Sequence, residues 1–124
     1  MPKTIPRLPE SDSAALPYST VVEANGFVFL AGQVGRGPDD EATGDIASET
    51  RAALDRVREL LEEVGLGLAD IVKVTVYLAD VTHFPLMNDV YREYFPVDPP
   101  ARATVGVAAL PGNYSVEIDV IAAR

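Results

Sequence analysis

The residues best suited to carry chemistry lie near the C-terminus, in two runs of β-forming sequence. Arg102 follows Pro99-Pro100-Ala101, and the two prolines stiffen the chain where the first run begins. Its guanidinium is planar, stays charged at any working pH and binds a carboxylate through two parallel hydrogen bonds. Arg102 is therefore the candidate for binding a small carboxylate. The alternative is a surface or structural ion pair, for example with Asp119.

Glu117 and Thr104 are the other candidates for catalysis. If the loop Leu110-Pro111-Gly112-Asn113 closes a hairpin, both residues lie on the same face of the sheet as Arg102. Glu117 would then lie opposite Gly106, whose missing side chain leaves room for a water or a ligand. There Glu117 would hold a water or move a proton, and Thr104 would donate a hydrogen bond. The alternatives are a carboxylate paired within the sheet and a threonine that reflects β-propensity alone.

Four residues outside these runs are candidates for lining a pocket. Ala31-Gly32 ends a predicted strand, where a glycine marks either a bulge or a close approach of a ligand to the backbone. Asn88 is the polar residue within a predicted helix, and it would reach a neighbouring group or be solvated at the surface. Tyr18 follows Leu16-Pro17, and it would cover a pocket or fill the core.

Composition restricts the classes of function. The chain has 124 residues, a formal net charge of −9, no cysteine and one histidine. Disulfide and thiolate chemistry are excluded, no Cys/His set for zinc exists, and a polyanion such as RNA would be repelled. No apolar run approaches the roughly 20 residues that span a bilayer, and the N-terminus lacks the apolar stretch of a signal peptide. These features predict a cytoplasmic protein that binds neither nucleic acid nor a metal.

Periodicity predicts a single domain with the element order ββαβαββ. Asn25-Gly26 is the favoured pair of a type I′ turn and predicts a hairpin. Asp45 and Gly65 have the residue types of a helix N-cap and a helix end. Residues 1–16, rich in Pro and Ser, are expected to form an arm that adds a short edge strand. The remaining predicted elements are strands at 18–23, 27–33, 71–78, 101–109 and 114–122 and helices at 46–64 and 84–95.

Two helices cover only one face of a sheet of five or six strands. Alternation places Val72 with the apolar residues of its strand, and the hairpin register places Ala103 and Val105 on the apolar face under the helices. The opposite face mixes polar groups with Tyr77 and Ile121. Closure of that face against other subunits into a barrel-like core is the favoured solution, and a half-covered sheet is the alternative.

The run from Pro100 to Pro111, followed by Val116-Glu117-Ile118-Asp119, resembles the signature of the RidA (YjgF-type) family, also named endoribonuclease L-PSP. The resemblance extends in matching order from about Leu16 to Ala123. Shorter matches are Pro17-Tyr18-Ser19, Gly32-Gln33, Gly65-Leu66, Asp70-Ile71-Val72-Lys73, and Asn88 with Tyr91 and Phe95. The resemblance implies a chorismate-mutase-like (ferredoxin-like) α+β fold for residues 1–124, with one mixed sheet and both helices on one face. It also implies a homotrimer whose sheets form a central barrel, with active sites at the subunit interfaces.

An activity is implied as well. Family members are enamine/imine deaminases of the 2-iminobutanoate/2-iminopropanoate type. They hydrolyse reactive 2-imino acids, formed from 2-aminoacrylate-type intermediates, to 2-keto acids and ammonia, without a metal or organic cofactor. By position, Arg102 would bind the substrate carboxylate and Glu117 would position the attacking water. Tyr18, Gly32 and Asn88 would line the pocket.

Three residues depart from the family pattern. Thr104 replaces a common cysteine, Gly106 a common glutamate and Ala31 an expected serine. The Thr104 hydroxyl would still bond to substrate or water. Two alternatives therefore stay open: a trimer that binds 2-keto acids without turnover, and a deaminase dedicated to aminoacrylate or aminomuconate. The charge of −9 and the single histidine count against RNA cleavage.

Overall fold

Six strands and two α-helices form, one strand more than the order ββαβαββ predicts, within the residues that this computed structural model describes, namely 2–6, 8, 16–36 and 41–124. The bounds are β1 Val21–Ala24, β2 Phe27–Leu30, β3 Gln33–Val34, α1 Ile46–Glu63, β4 Ile71–Leu78, α2 Phe84–Tyr94, β5 Ala101–Gly106 and β6 Val116–Ala123. Short 3₁₀ turns occupy Leu68–Asp70, Val81–His83 and Pro111–Asn113. The α+β class is confirmed, and the second predicted strand is divided at Ala31-Gly32 into β2 and β3.

The hairpin of β1 and β2 is closed by the predicted turn. Asn25 and Gly26 both have positive φ, 52° and 80°, as a type I′ turn requires. On the outer edge of β1, Thr4 and Glu23 exchange two backbone N–H···O hydrogen bonds of 2.8 Å. The N-terminal arm therefore does add a bridge to the sheet edge. Residues 1, 7 and 9–15 of the arm, like residues 37–40 of the loop before α1, lie outside the described residues.

The ends of α1 match the predicted caps. The Asp45 carboxylate accepts a hydrogen bond of 2.9 Å from the Ser48 N–H. At the other end Gly65 has a φ of 80°, and the Leu66 N–H donates to the Leu61 carbonyl at 2.9 Å. This is the long hydrogen bond of a Schellman motif. The Asp45 side chain therefore caps the start of α1, and the positive φ of Gly65 allows the hydrogen bond that ends it.

The strand order in the sheet is β1-β2-β6-β4-β5, and β3 also pairs with β6. β6 is antiparallel to β4, whereas β5 runs parallel to β4 on its other side. The expected hairpin between the last two strands is therefore wrong, because β4 lies between them. β4 and β6 both have eight residues, so their facing edges form backbone hydrogen bonds along nearly the whole length of both strands. β5, which follows the α2 crossover, takes the free edge.

The pairing decides which side of the sheet each candidate residue faces, because laterally paired residues point to the same side. Arg102 and Thr104 pair with Val74 and Val76, which are fully buried under the helices. Glu117 pairs with Tyr77 on the open side. The expected common face for the three candidate catalytic residues is therefore wrong: β5 presents Arg102 and Thr104 to α2, and β6 presents Glu117 to the opposite side.

The predicted positions of three apolar side chains on the helix-covered face of the sheet are wrong. Ala103 and Val105 lie on the open side, where Val105 keeps 42% of its surface exposed. A register irregularity between Ile71 and Lys73 turns Ile71 into the core and leaves Val72 44% exposed. One extra residue on one strand of a ladder reverses the alternation of side chains beyond it.

Glu49 on α1 is a fully buried carboxylate that periodicity did not indicate. It accepts hydrogen bonds from the Gly44 N–H at 2.8 Å and from the Ser115 N–H at 2.7 Å. Buried carboxylates are tolerated where backbone donors satisfy their oxygens. Glu49 thus ties the approach to α1 to the residue that precedes β6, the strand that carries Glu117.

Candidate functional site

The Arg102 guanidinium lies against the aromatic side chains of α2. Its Cζ atom is 4.5 Å from the centroid of the Tyr91 ring and 5.5 Å from that of Phe84. Within the described part of the chain no carboxylate forms an ion pair with it. Asp119, the alternative partner, instead accepts a hydrogen bond of 2.9 Å from the Tyr77 hydroxyl on the open side. Arg102 is thus a cation that packs against aromatic rings and has no carboxylate partner among the described residues, which suits it to bind an anion.

A cavity of about 260 Å³ opens beside this guanidinium. Its volume is near the lower end of the roughly 300–1,000 Å³ of small-molecule sites, so it suits a small acid. Asn88, one of the predicted pocket residues, does lie with Arg102. The lining residues are Asn88, Tyr91, Arg92, Phe95, Pro99, Pro100 and Arg102.

The Thr104 hydroxyl near Arg102 is shielded from solvent and lacks a hydrogen-bond partner among the described residues, whereas the Tyr91 hydroxyl is shielded but interacts with the Arg102 guanidinium. Thr104 lies two residues along β5 on the same side as Arg102. Burial raises the pKa of the Tyr91 phenol, although the Arg102 charge opposes this rise, so the phenol stays neutral at physiological pH. A buried hydroxyl without a partner is costly, so the Thr104 group is suited to bind a ligand. We call Arg102, Thr104, Asn88 and Tyr91 the cation half-site.

Tyr91 entered the sequence analysis only as part of a family match, and its contact with Arg102 was missed. The available signal was its spacing of three residues from Asn88, which places both side chains on one side of a helix. Only 6% of its surface is exposed, so its ring has a fixed environment.

Glu117 forms a second group on the open side. Its carboxylate lies against the bare Cα of Gly32, where a Cβ atom would overlap the carboxylate oxygen. The group that approaches Gly32 closely is a side chain of the same subunit, whereas the approach of a ligand to this glycine stays a prediction. The neighbouring Ala31 N–H donates to Thr20 O at 2.8 Å, and Tyr18, two residues earlier, is 56% exposed. We call Glu117, Gly32, Ala31 and Tyr18 the carboxylate half-site.

The environment of Glu117 suits proton transfer. Partial burial, and then the nearby Asp119 carboxylate, raise the pKa of Glu117 above its ordinary value. The Asp119 hydrogen bond is also the main reason that the pKa of Tyr77 is raised. A carboxylate whose pKa is moved towards neutrality is better matched to accept and return a proton. Gly106 does not contribute, because it lies on the other side of the sheet near Val81.

The two half-sites lie on opposite faces of one subunit. β4 separates β5 from β6, so the two strands are about 10 Å apart, two spacings of the sheet. One subunit therefore does not bring Arg102 and Glu117 together.

Other kinds of site are not prominent in the described ranges. Within residues 2–6, 8, 16–36 and 41–124, no three His, Asp or Glu side chains gather as they would around a metal ion. Nor does either helix there have the length and apolar character to cross a bilayer. His83, the single histidine, lies in the turn before α2, with Nε2 3.8 Å from Asp80 Oδ2.

Comparison with known proteins identifies a family and relatives that this chain resembles over most of its length. The family described as Endoribonuclease L-PSP matches residues 9–124. A RutC family protein of Pyrococcus horikoshii is 44% identical over 111 residues, which cover 86% of this chain and 86% of that protein. A 2-iminobutanoate/2-iminopropanoate deaminase of Dermatophagoides farinae is 38% identical over 122 residues, which cover 97% of this chain and 95% of that protein.

A solved structure shows the same fold. The Rid family protein YyfA of Yersinia pestis, described as a protein of unknown function, has a TM-score of 0.90 at 35% identity and covers 99% of this chain and 100% of its own. Sequence signature, family match and fold agree over nearly the whole chain, and the protein therefore belongs to the Rid (YjgF-type) family, also described as endoribonuclease L-PSP.

Proposed function

We propose that this chain hydrolyses small reactive 2-imino acids to 2-keto acids and ammonia. The observation that carries the proposal is Arg102, held over two aromatic rings beside a small cavity and without a carboxylate partner among the described residues. The deaminase of Dermatophagoides farinae, 38% identical to this chain, supports the reaction class. The substrates in the name of that relative, 2-iminobutanoate and 2-iminopropanoate, are small enough for the cavity beside Arg102.

The reaction needs orientation more than a strong catalyst. Arg102 would bind the substrate carboxylate in its plane, and the Thr104 hydroxyl would bond to the imine or to the water. Glu117 would accept a proton from the water as its oxygen bonds to C2, and would return that proton to the nitrogen. In the resulting carbinolamine, Glu117 would then carry the hydroxyl proton to the amine nitrogen, so that the C2–N bond breaks, ammonia leaves and the C2 oxygen becomes the ketone oxygen. Holding the reacting atoms in this geometry supplies most of the acceleration for an intrinsically easy hydrolysis.

We further propose that each active site combines the cation half-site of one subunit with the carboxylate half-site of another in a homotrimer. Its support is that the two half-sites face opposite sides of one subunit. Exposed apolar side chains near the open side, Phe27, Phe29 and Val105, are consistent with a covered surface. Light scattering would measure the mass, and a monomeric solution state would contradict this arrangement.

Subunit mixing tests the shared site directly. Arg102→Ala and Glu117→Ala variants are each expected to be inactive, but refolding them together places an intact Arg102 beside an intact Glu117. Random mixing in a ring is expected to restore about a quarter of the wild-type sites. Mixed protein as inactive as the parents would show that one subunit supplies both residues.

The activity itself is tested with 2-iminopropionate made in the assay by an amino-acid oxidase. Wild-type protein is expected to speed the release of ammonia. Arg102→Ala is expected to lose roughly 100-fold or more in kcat/KM, because a bidentate charged hydrogen bond disappears. Arg58→Ala is the matched control, since Arg58 also lies over an aromatic ring, Tyr94, but on the outer surface. Equal turnover by the Arg102 and Arg58 variants would reject the assigned role.

A second candidate function is a sensor that binds 2-keto acids without turnover. It is favoured by the cation half-site, which is complete within one subunit while Glu117 lies elsewhere. Calorimetry with 2-ketobutyrate would select it if binding saturates and the ammonia assay stays flat. A substrate panel that includes aminoacrylate and aminomuconate would separate a dedicated deaminase from a general one.

Two further points follow from composition. The net charge of −9 argues against RNA as a substrate, and a ribonuclease assay at low salt tests this. The absence of cysteine is our support for a cytoplasmic location, which cell fractionation would test.

A further inference from the structure

We propose that Tyr91 is a positioning residue of the site: its ring holds the Arg102 guanidinium flat, so that the edge of the guanidinium faces the cavity. The expected effect of Tyr91 on KM rests on the proposed function, whereas the contact between Tyr91 and Arg102 does not. The sequence alone matched Tyr91 to a family pattern with Asn88 and Phe95 and assigned it no contact with Arg102.

The contact is close and the ring is itself fixed. Arg102 Cζ is 4.5 Å from the Tyr91 centroid, within the roughly 6 Å over which an aromatic face attracts a cation. The Tyr91 ring packs in turn against Phe95, with centroids 4.7 Å apart and a tilt of 37°. Tyr91 is 6% exposed, so it has little freedom to turn away. Phe84 adds a second, looser contact at 5.5 Å.

A fixed guanidinium favours the binding of a planar carboxylate. The Tyr91 ring lies against one side of the guanidinium. A guanidinium stacked parallel to the ring would leave its N–H edge for a ligand, which is the geometry of a two-bond Arg–carboxylate pair. An arginine side chain that is already ordered loses less conformational freedom on binding. Removal of the ring is therefore expected to weaken ground-state binding of the carboxylate, with a smaller effect on the chemical step.

The test compares Tyr91→Leu, which removes the ring, with Tyr91→Phe, which keeps it. Tyr91→Leu is expected to raise KM by about 10-fold and the dissociation constant of 2-ketobutyrate by a similar factor, with kcat changed by less than about threefold. Tyr91→Phe is expected to stay within about twofold of the wild type in both constants. Loss of binding in both variants would overturn the proposal, because the hydroxyl would then be the acting group.

A control separates a positional effect from a general loss of packing. Tyr94 lies on the same helix and also contacts an arginine, Arg58, at 5.7 Å, but outside the cavity. Tyr94→Leu is expected to lower the thermal midpoint while leaving KM unchanged. If Tyr94→Leu raises KM as much as Tyr91→Leu, the effect is one of stability, and the proposal is wrong.

A spectroscopic readout keeps the proposal independent of catalysis. The ring current of Tyr91 should shift the Nε–H proton resonance of Arg102 upfield in the unliganded protein. The shift should persist in Tyr91→Phe and disappear in Tyr91→Leu. Wild-type protein with this shift but without imine hydrolysis would reject the proposed function and retain the positioning role. Wild-type protein without the shift would reject the positioning role, whatever its activity.

Discussion

The Glu117 carboxylate occupies the space that a side chain at residue 32 would fill, so the position of Glu117 requires a glycine at residue 32. This relationship couples the short connection between β2 and β3 to the start of β6. Backbone conformation is not the reason for the glycine, because Gly32 is not among the residues with positive φ. The glycine is required because a Cβ atom would overlap the Glu117 carboxylate, so a substitution at residue 32 tests whether the position of Glu117 matters.

Gly32→Ala is expected to displace the Glu117 carboxylate and to lower kcat by roughly 10- to 100-fold, because removal of a positioned acid–base group costs about that much or more. KM for a small imino acid should change by less than about threefold, since Arg102 is untouched. Steady-state kinetics with 2-iminopropionate provide the measurement. Gly67→Ala is the control, because a Cβ atom there meets nothing within 4 Å. A wild-type kcat in Gly32→Ala would show that the position of Glu117 does not matter.

The acidic limb of the pH–rate profile should report Glu117. The charged form accepts the proton, so activity is expected to fall as the pH drops through the pKa of Glu117. Because burial and Asp119 raise that pKa, the midpoint should lie above the roughly 4.3 of an ordinary glutamate. Removing the neighbouring charge in Asp119→Asn should move the midpoint to lower pH. The profile of Asp89→Asn, an exposed change on α2, should match the wild type, and a midpoint unmoved in Asp119→Asn would refute the electrostatic cause.

Thr104→Val should separate ligand binding from stability. The Thr104 hydroxyl is buried without a partner among the described residues, so its removal should leave the thermal midpoint equal or slightly higher. If the hydroxyl bonds to substrate, kcat/KM should fall by about 5- to 10-fold, the value of one neutral hydrogen bond. Thr104→Ser keeps the hydroxyl and should retain most of the activity. A valine variant with both full activity and full stability would remove Thr104 from the site.

Glu49 is expected to matter for stability more than for binding. Glu49→Ala leaves the Gly44 and Ser115 N–H groups without their acceptor, which should lower the free energy of unfolding by about 2–4 kcal/mol. Urea denaturation measures this loss. Glu62→Ala, an exposed change on the same helix, should alter the free energy of unfolding by less than about 0.5 kcal/mol. Equal losses in the two variants would show that the buried hydrogen bonds contribute little.

Local signals predicted the elements well because their causes are local. The turn at Asn25-Gly26, the N-cap Asp45 and the helix end at Gly65 each depend on the backbone preference of one or two residues. Arg102 and Thr104 were correctly placed on one side of their strand, because side chains alternate along a strand whichever neighbour it pairs with. Val72 was misplaced because a bulge interrupts that alternation.

The sequence by itself determined the elements, the family and the residue types that suit carboxylate binding and proton transfer. Only the tertiary structure decided that Arg102 and Glu117 face opposite sides, that Tyr91 lies under Arg102 and that Gly32 makes room for Glu117. The physical reason is that periodicity describes each strand relative to itself. Which strand becomes its neighbour depends on pairing over long sequence separations, here β6 with β4 in place of β5. That choice sets the relative orientation of side chains on different strands.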